Sequence, residues 1–346
     1  MRPLIAVRAK RVAWRLLARA RVDLVLRPLI AGPGTILMFH RLLTPDHSFA
    51  FAANRQNCVA PDRFRAMLAW LAHEGIDVIS LDAAEARLAG GDRRRFVCLT
   101  FDDGYRDNHD VLLPIAEGHG VPVTVYVAPG LIDGTAPLWW YGLEQVVARE
   151  ATVRLPLDID AVLSARTRAE KETAFAVVAG FMLRADARQA ACVASALASR
   201  YGVDFLVLAR THMMDWPMVR ALAASQLVEI GAHSVTHPPL AQRDASEVLR
   251  EMTGSRDRLV AETGRSVVHF AYPFGTAATA GPREAVLAHE LGFRSAVTSR
   301  AGHLNSGGQP APHAWPRIGI GPDDGPMQFR LKLAGASALR ARLSPA

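Results

Sequence analysis

Four short stretches of this chain place reactive side chains directly after apolar runs. Asp102-Asp103-Gly104 follows Phe96–Phe101, and His233-Ser234-Val235-Thr236-His237 follows the run that ends at Ala232. His40 follows Thr35–Phe39, and Tyr272-Pro273-Phe274-Gly275 follows Val267–Ala271. Two adjacent carboxylates at the end of a buried strand repel one another and lose hydration, so a dry position for both requires a cation. A metal held by one carboxylate leaves the other free to take a proton from water, and Gly104 permits the chain reversal that follows. On its own an Asp-Asp-Gly triplet is more often a surface turn. His233 and His237, four residues apart, share one face if the segment makes a helical turn, and paired imidazoles suit zinc and related divalent ions. A bare pair at that spacing is again more often two surface histidines. The combination carries more weight, because catalytic groups in parallel α/β barrels gather at the C-terminal ends of strands, and both groups follow apolar strands.

The elements that must position these groups alternate along the chain. Thr35–Phe39 reads as a buried strand, Pro61–Gly75 as a helix with proline at its start and glycine at its stop, and Val78-Ile79 as a short strand. Phe96–Phe101, a helix near 108–117 and Val121–Val127 continue the rhythm. Leu227–Ile230, a helix near 246–263, Val267–Ala271, a helix near 282–291 and Ser295–Thr298 complete it. Repeated strand–helix units of this length favour a parallel α/β sheet or barrel covered on both faces. Residues 138–215 break the pattern: they are rich in Ala and Arg, helical in period and nearly free of strand signals, and read as a helical insertion. The expected organisation is a basic N-terminal helix over 1–30, a barrel from 31–137 and 216–325, the insertion between them, and a tail over 326–346.

The formal net charge of +7 resides in residues 1–27, where eight basic side chains face Asp23, so the remainder is formally neutral. A body that tracks the phosphates of nucleic acid is therefore not expected, whereas the basic N-terminal helix suits either packing on the domain or peripheral contact with an anionic membrane. Arginines interrupt that segment too often for a secretory signal, and no run reaches the roughly 18 apolar residues that span a bilayer. These points favour a cytoplasmic protein, with the inner membrane face as the alternative. Cys58, Cys98 and Cys192 lack CxxC spacing and are expected to be buried thiols.

The motif Thr100-Phe101-Asp102-Asp103-Gly104-Tyr105, the HSVTH segment at 233–237 and the FAYPFG segment at 270–275 together resemble the polysaccharide deacetylases of the NodB-like carbohydrate esterase group. The resemblance covers roughly 35–137 and 216–320, with the helical insertion outside it. It implies a distorted (β/α) barrel in which Asp103, His233 and His237 bind a divalent metal and Asp102 is the general base. Tyr272, Pro273 and Phe274 would line the substrate wall and supply a backbone N–H to the oxyanion. Zinc is the first choice of metal, and the same ligand set accepts cobalt, nickel or iron(II). The implied substrate is an N-acetylated glycan. Two departures stand out. Ala271 occupies the place where many members carry an arginine that braces the catalytic aspartate, and no C-terminal strand ends in a clear histidine. In circularly permuted relatives that histidine comes from the N-terminal strand, and Leu37-Met38-Phe39-His40-Arg41 resembles such a site, with Arg41 in place of an acid. His40 is therefore preferred to His303 as the general acid. These departures keep open a carbohydrate-binding barrel that has lost catalysis, and a third reading makes the basic N-terminal helix the functional element. Among aromatic residues, Trp139-Trp140-Tyr141 at the start of the insertion is the candidate to overhang the site, although core packing is the expectation.

Overall fold

The computed structural model describes residues 31–43, 52–157, 160–305 and 312–343. The basic helix expected over residues 1–30, with its membrane contact, lies outside the described residues. Seven strands set the architecture: β1 (Gly34–Phe39), β2 (Phe96–Phe101), β3 (Val123–Val127), β4 (Val228–Ala232), β5 (His269–Ala271), β6 (Ser295–Val297) and β7 (Ile318–Gly319). They pair in parallel in the order β7-β1-β2-β3-β4-β5-β6, and the short strand Asp77–Val78 joins the start of β2. The segment leading into β7 closes the sheet on itself. Trp315 bridges to Val297 of β6, and Leu37 and Met38 of β1 register with Ile318 and Gly319.

Because strand side chains alternate between faces, each strand supplies two cores. Leu37, Phe39, Val97, Leu99, Phe101, Val125 and Ile230 point outward into one apolar cluster, which they share with Phe64, Leu68, Leu222 and Met252 of the surrounding helices. Ile36, Phe96, Cys98, Tyr126, Ala271, Val297 and Trp315 point into the lumen, where Leu81, Ala84 and Leu88 join them. The last three belong to helix Leu81–Ala89, which plugs the N-terminal end of the barrel and begins where the Ser80 hydroxyl accepts from Ala83 N–H. Gly231 is required here: a Cβ would meet the Tyr126 ring at 2.3 Å, so the tyrosine fills the lumen only because the neighbouring strand carries no side chain. Counting by two from these inward positions brings His40, Asp102 and His233 to the C-terminal mouth.

Residues 138–215 contain the expected helices, Trp139–Arg149, Arg168–Met182, Ala187–Tyr201 and Phe205–His212, the last three opened by Thr167, Asp186 and Asp204 as side-chain caps. They also contain an antiparallel hairpin, Thr152–Pro156 with Asp160–Ser164, which the expectation of a nearly strand-free segment did not include. Each arm is only five residues long, too short to stand out among helical runs. The segment has its own core, into which Tyr105, Ala128 and Leu131 of the barrel also pack. Much of the C-terminal tail is helical. Helices Pro326–Leu333 and Ala336–Leu343 follow β7, and Phe329 packs edge-on against Trp70 at 5.5 Å. Cys58 and Cys98 are buried, but Cys192 is exposed on its helix rather than buried as expected. Among the described residues no single helix is long and apolar enough to cross a membrane.

Candidate active site

The site lies where β1, β2 and β4 end. The carboxylate Oδ1 of Asp103 is 3.2 Å from Nε2 of His233 and 3.2 Å from Nε2 of His237, and the three residues offer ligand atoms within 4.8 Å of one another. All three are buried. The convergence does not come from a helical turn, as the spacing of the histidines suggested. Residues 233–238 form a bend in which Ser234 and His237 adopt positive φ of 58° each. The Ser234 hydroxyl accepts from His237 N–H at 3.0 Å, and Glu251, on helix Ala245–Thr263, accepts from Val235 N–H, Thr236 N–H and the Thr236 hydroxyl. One carboxylate thus gathers three donors that a bend of this kind leaves without strand or helix partners.

The donor set fits a cation. His233 Nδ1 lies 2.7 Å from the carbonyl oxygen of Ala271, which can only accept, so a proton sits on Nδ1, and in its neutral form the ring turns the Nε2 lone pair toward Asp103. A lone pair facing a buried carboxylate is repulsive unless a positive charge lies between them, and a carbonyl partner on the far nitrogen is the usual way of orienting a ligating histidine. With no cation between them a proton takes its place: burial pushes the Asp103 carboxyl up, but protonated His233 and His237 beside it outweigh that and hold the group well below the usual carboxylate range. The two imidazoles diverge: burial lowers both, yet the bond to Asp103 and the charge of Asp102 leave His233 raised, while burial prevails at His237.

Asp102 is held by a residue that the sequence did not single out. Arg317, 1% exposed, donates from Nη1 to Oδ1 and from Nη2 to Oδ2 of Asp102, each at 2.7 Å, and also reaches Thr100 Oγ1 at 3.1 Å and the Thr298 carbonyl at 2.9 Å. Burial raises the Asp102 carboxyl, but the guanidinium prevails and keeps it below the ordinary value. Arg317 enters the lumen from the segment before β7. The small side chain of Ala271 lies in the same lumen, so a brace on Asp102 is present but comes from the segment before β7. The available signal was an arginine set within Trp315-Pro316-Arg317-Ile318, an otherwise apolar run.

The remaining expected residues divide. His40 is partly buried, acts electrostatically on both Asp102 and Asp103, and has its carbonyl held by Asn108 Nδ2 at 3.0 Å. Asn108 opens a π-helical stretch, Asn108–Leu112, where a regular helix was expected. His303 lies at the other end of the barrel. Its Nδ1 bonds Thr35 Oγ1 at 2.8 Å near the start of β1, about 17 Å along the strand from His40 at roughly 3.3 Å per residue, which removes it as an acid for this site. Phe274 packs its ring 4.8 Å from that of His237, but the Tyr272 side chain does not reach the site. It points outward, 2% exposed, with its hydroxyl on the carbonyls of His313 and Glu284. Tyr272 N–H is committed to Val297 O and proline has none, which leaves Phe274 as the backbone donor among the three expected residues.

Arg41 turns away from the reacting groups. It bonds Asp107 at 2.8 Å and the Tyr141 hydroxyl at 2.8 Å, tying barrel to insertion. Trp140 covers the metal-ligand cluster, with its ring 5.2 Å from His237 and its N–H on the Tyr105 hydroxyl at 3.1 Å. It does so from a helix and not from a loop. A second group, Asp82, Glu229 and His269, is drawn together at the plugged end. His269 bonds Asp82 and Ser295, Arg294 pairs with Asp82, and Glu229 accepts from the Thr124 hydroxyl and Leu81 N–H, so each of the three has a partner within the protein.

The polysaccharide deacetylase family model matches residues 89–154 and 172–295, more than half of the chain, so the chain belongs to the polysaccharide deacetylase family. The family comprises metal-dependent hydrolases of N-acetyl amides on polysaccharides. The match runs through much of 138–215, which was expected to lie outside the resemblance. No curated protein sequence matches the chain significantly. Among solved structures, the chain is similar to the Streptococcus pyogenes deacetylase PplD in complex with acetate, at 17% identity and a TM-score of 0.57, covering 88% of this chain and 98% of that one. It is also similar to IcaB from Ammonifex degensii, at 16% identity and a TM-score of 0.55 over 88% and 98% of the two chains. The deacetylase domain of BpsB from Bordetella bronchiseptica matches at 18% identity and a TM-score of 0.50 over 83% and 95%. These likenesses establish the deacetylase barrel as the fold.

Proposed function

We propose that this protein removes N-acetyl groups from an amino-sugar-containing glycan, with Asp103, His233 and His237 holding a divalent metal and Asp102 as general base. The observation that carries this reading is the convergence of one carboxylate and two imidazoles beside a second carboxylate that is independently neutralised. Zinc is the preferred ion, with cobalt, nickel or iron(II) as alternatives. When bound, the metal supplies Lewis acidity toward the acetamide carbonyl and its attacking water. Asp102, ionised and fixed by Arg317, takes the proton of that water. Phe274 N–H is placed to donate to the developing oxyanion, and His40 gives a proton to the departing sugar amine. Acetate and the free amine result. The reading of a barrel that has lost catalysis rested on the missing arginine at 271 and on the uncertain general acid, and Arg317 removes the first reason.

Acetate release from N-acetylglucosamine oligomers, with and without chelator, tests the proposal. Activity should vanish on metal removal and return with added zinc; full activity in the chelated protein would sink it. Asp102→Asn should keep the metal and lose turnover by about 10²-fold or more, and His40→Ala should do the same with a smaller loss. His233→Ala should lose the metal itself.

A further inference from the structure

The groups on either side of His40 are all held by one short stretch of chain. Asp102 N–H donates to the carbonyl of Phe39 at 3.0 Å. Asn108 Nδ2 donates to the carbonyl of His40 at 3.0 Å. Asp107 Oδ1 accepts from Leu42 N–H at 2.7 Å, and its Oδ2 accepts from Arg41 Nε at 2.8 Å. Residues 39–42 are thus stitched in turn to residues 102–108. Pairing of β1 with β2 ends at Phe39, and pairing of Arg41–Leu42 with Cys58–Val59 begins at Arg41, so the carbonyl of His40 falls between two sheets and Asn108 supplies its donor.

No side chain among the described residues bonds the imidazole of His40, so the ring is placed by the backbone that carries it. That backbone is fixed from a position of unusual geometry. Asn108, fully buried, opens the π-helical stretch, a geometry that recurs at functional sites. Its Oδ1 is also buried and has no partner among the described residues. Leaving a buried acceptor unpaired is unfavourable, and leucine has the same branched outline without that penalty, so stability alone does not call for an amide here. The bond to His40 is what the amide adds. We propose that Asn108 is a positioning residue for the deacetylation, holding His40 in a fixed relation to Asp102 and Asp103 at the other end of the same loop. This role rests on the reading above in which His40 is the general acid.

Removing the Nδ2 donor should disturb proton delivery more than water attack. The nitrogen of an N-acetyl sugar must gain a proton as its C–N bond breaks, whereas the phenolate of an aryl acetate leaves without one. With zinc at one fixed excess, kcat of Asn108→Leu on the N-acetylglucosamine trimer should fall about tenfold relative to its kcat on an aryl acetate, with KM for the trimer within about twofold of wild type. His40→Ala should shift the same ratio further in the same direction. The double variant His40→Ala/Asn108→Leu should be no slower on the trimer than His40→Ala alone, because the clamp then has no acid to position. Zinc content by elemental analysis should match the wild type throughout. Asn108→Ser, whose hydroxyl stops one bond short of the carbonyl, gives the same comparison if the leucine variant does not fold. Equal losses on the two substrates, or losses that multiply in the double variant, overturn the positioning role alone. Acetate release from neither substrate by the zinc-loaded wild type, or a His40→Ala protein that loses no more on the trimer than on the ester, overturns the reading beneath it and the role with it.

Discussion

Replacing Arg317 with methionine should destabilise the fold by about 3–5 kcal/mol, the range for removing one partner of a buried ion pair. Arg317 and Asp102 are 1% and 3% exposed, and the pair makes two parallel bonds of 2.7 Å. Methionine retains much of the arginine stem against Tyr126, whose ring lies 5.8 Å from the guanidinium carbon, so the loss is chiefly electrostatic. Asp102 would then be a carboxylate whose burial no cation offsets. The partner variant, Asp102→Asn, leaves a buried guanidinium facing an amide and should also be costly. The double variant removes both charges and should be more stable than the sum of the two single losses predicts, by at least about 2 kcal/mol. Urea unfolding at pH 7, with zinc held at one fixed excess so that metal linkage is constant, gives the three differences. Strict additivity, or a loss below about 1 kcal/mol for Arg317→Met, would refute the description of the pair as a closed, buried bridge. Arg317→Lys should recover only part of the loss, because an ammonium cannot engage both oxygens in parallel.

Three further outcomes follow from the same structure. His303 is buried with its pKa lowered to about 4, so the unfolded chain binds a proton that the folded chain refuses between pH 6.5 and 4. Stability should fall as pH drops through that window, by up to about 3 kcal/mol, and His303→Gln should flatten the decline in acid unfolding curves without changing acetate release. Trp140→Ala should lower metal affinity, measured by competition with a chelating dye, whereas Trp140→Phe keeps the packing on His237 and should cost only about 1 kcal/mol for the lost bond to Tyr105. Ala271→Arg in the wild-type background should destabilise by about 1–3 kcal/mol or more through overpacking of the lumen, and the same change combined with Arg317→Ala should recover stability relative to Arg317→Ala alone. An Ala271→Arg/Arg317→Ala protein no more stable than its parent would show that the two positions do not share one space.

Most of the barrel was legible because its strands are continuous apolar runs and its helices carry clear periodic faces. The site residues Asp102, Asp103, His233 and His237 were legible as groups that follow such strands. Tyr272 was misplaced by attending to the motif and not to the alternation: counted by two from Ala271, position 272 faces outward, where its ring joins Phe270 at 5.3 Å. The bend of HSVTH could not be read from spacing, since its geometry depends on Glu251, which lies 14 residues beyond His237 and on another element. Arg317 was hidden for a related reason. It follows Pro316 and precedes a strand only two residues long, so local pattern assigns it no structure, and only the pairing of its neighbours with β1 and β6 gives it a direction.

The backbone at the site explains why the helical segment cannot be treated as an appendage. Among the described residues, the non-glycine positions with positive φ are Asp103 (76°), Ser234 (58°), His237 (58°) and Phe274 (61°), all on the loops around the candidate metal site. Each such conformation costs on the order of 1–3 kcal/mol and persists only where its surroundings enforce it. Part of that enforcement comes from outside the barrel strands. Met214, at the end of residues 138–215, donates its N–H to Gly104 O, and Tyr105 bridges to Met213. Gly130, just before that segment, donates to Val235 O at 2.8 Å, an approach so close that a Cβ would stand 2.6 Å from the same oxygen. The loop carrying Asp103 is thus fastened to the insertion, and the loop carrying His237 is fastened to a glycine turn at the base of the insertion. Trp140 then closes over the ring of His237. Loosening the helical segment should therefore release strain first in the ligand loops, so the metal would be lost before the barrel unfolds.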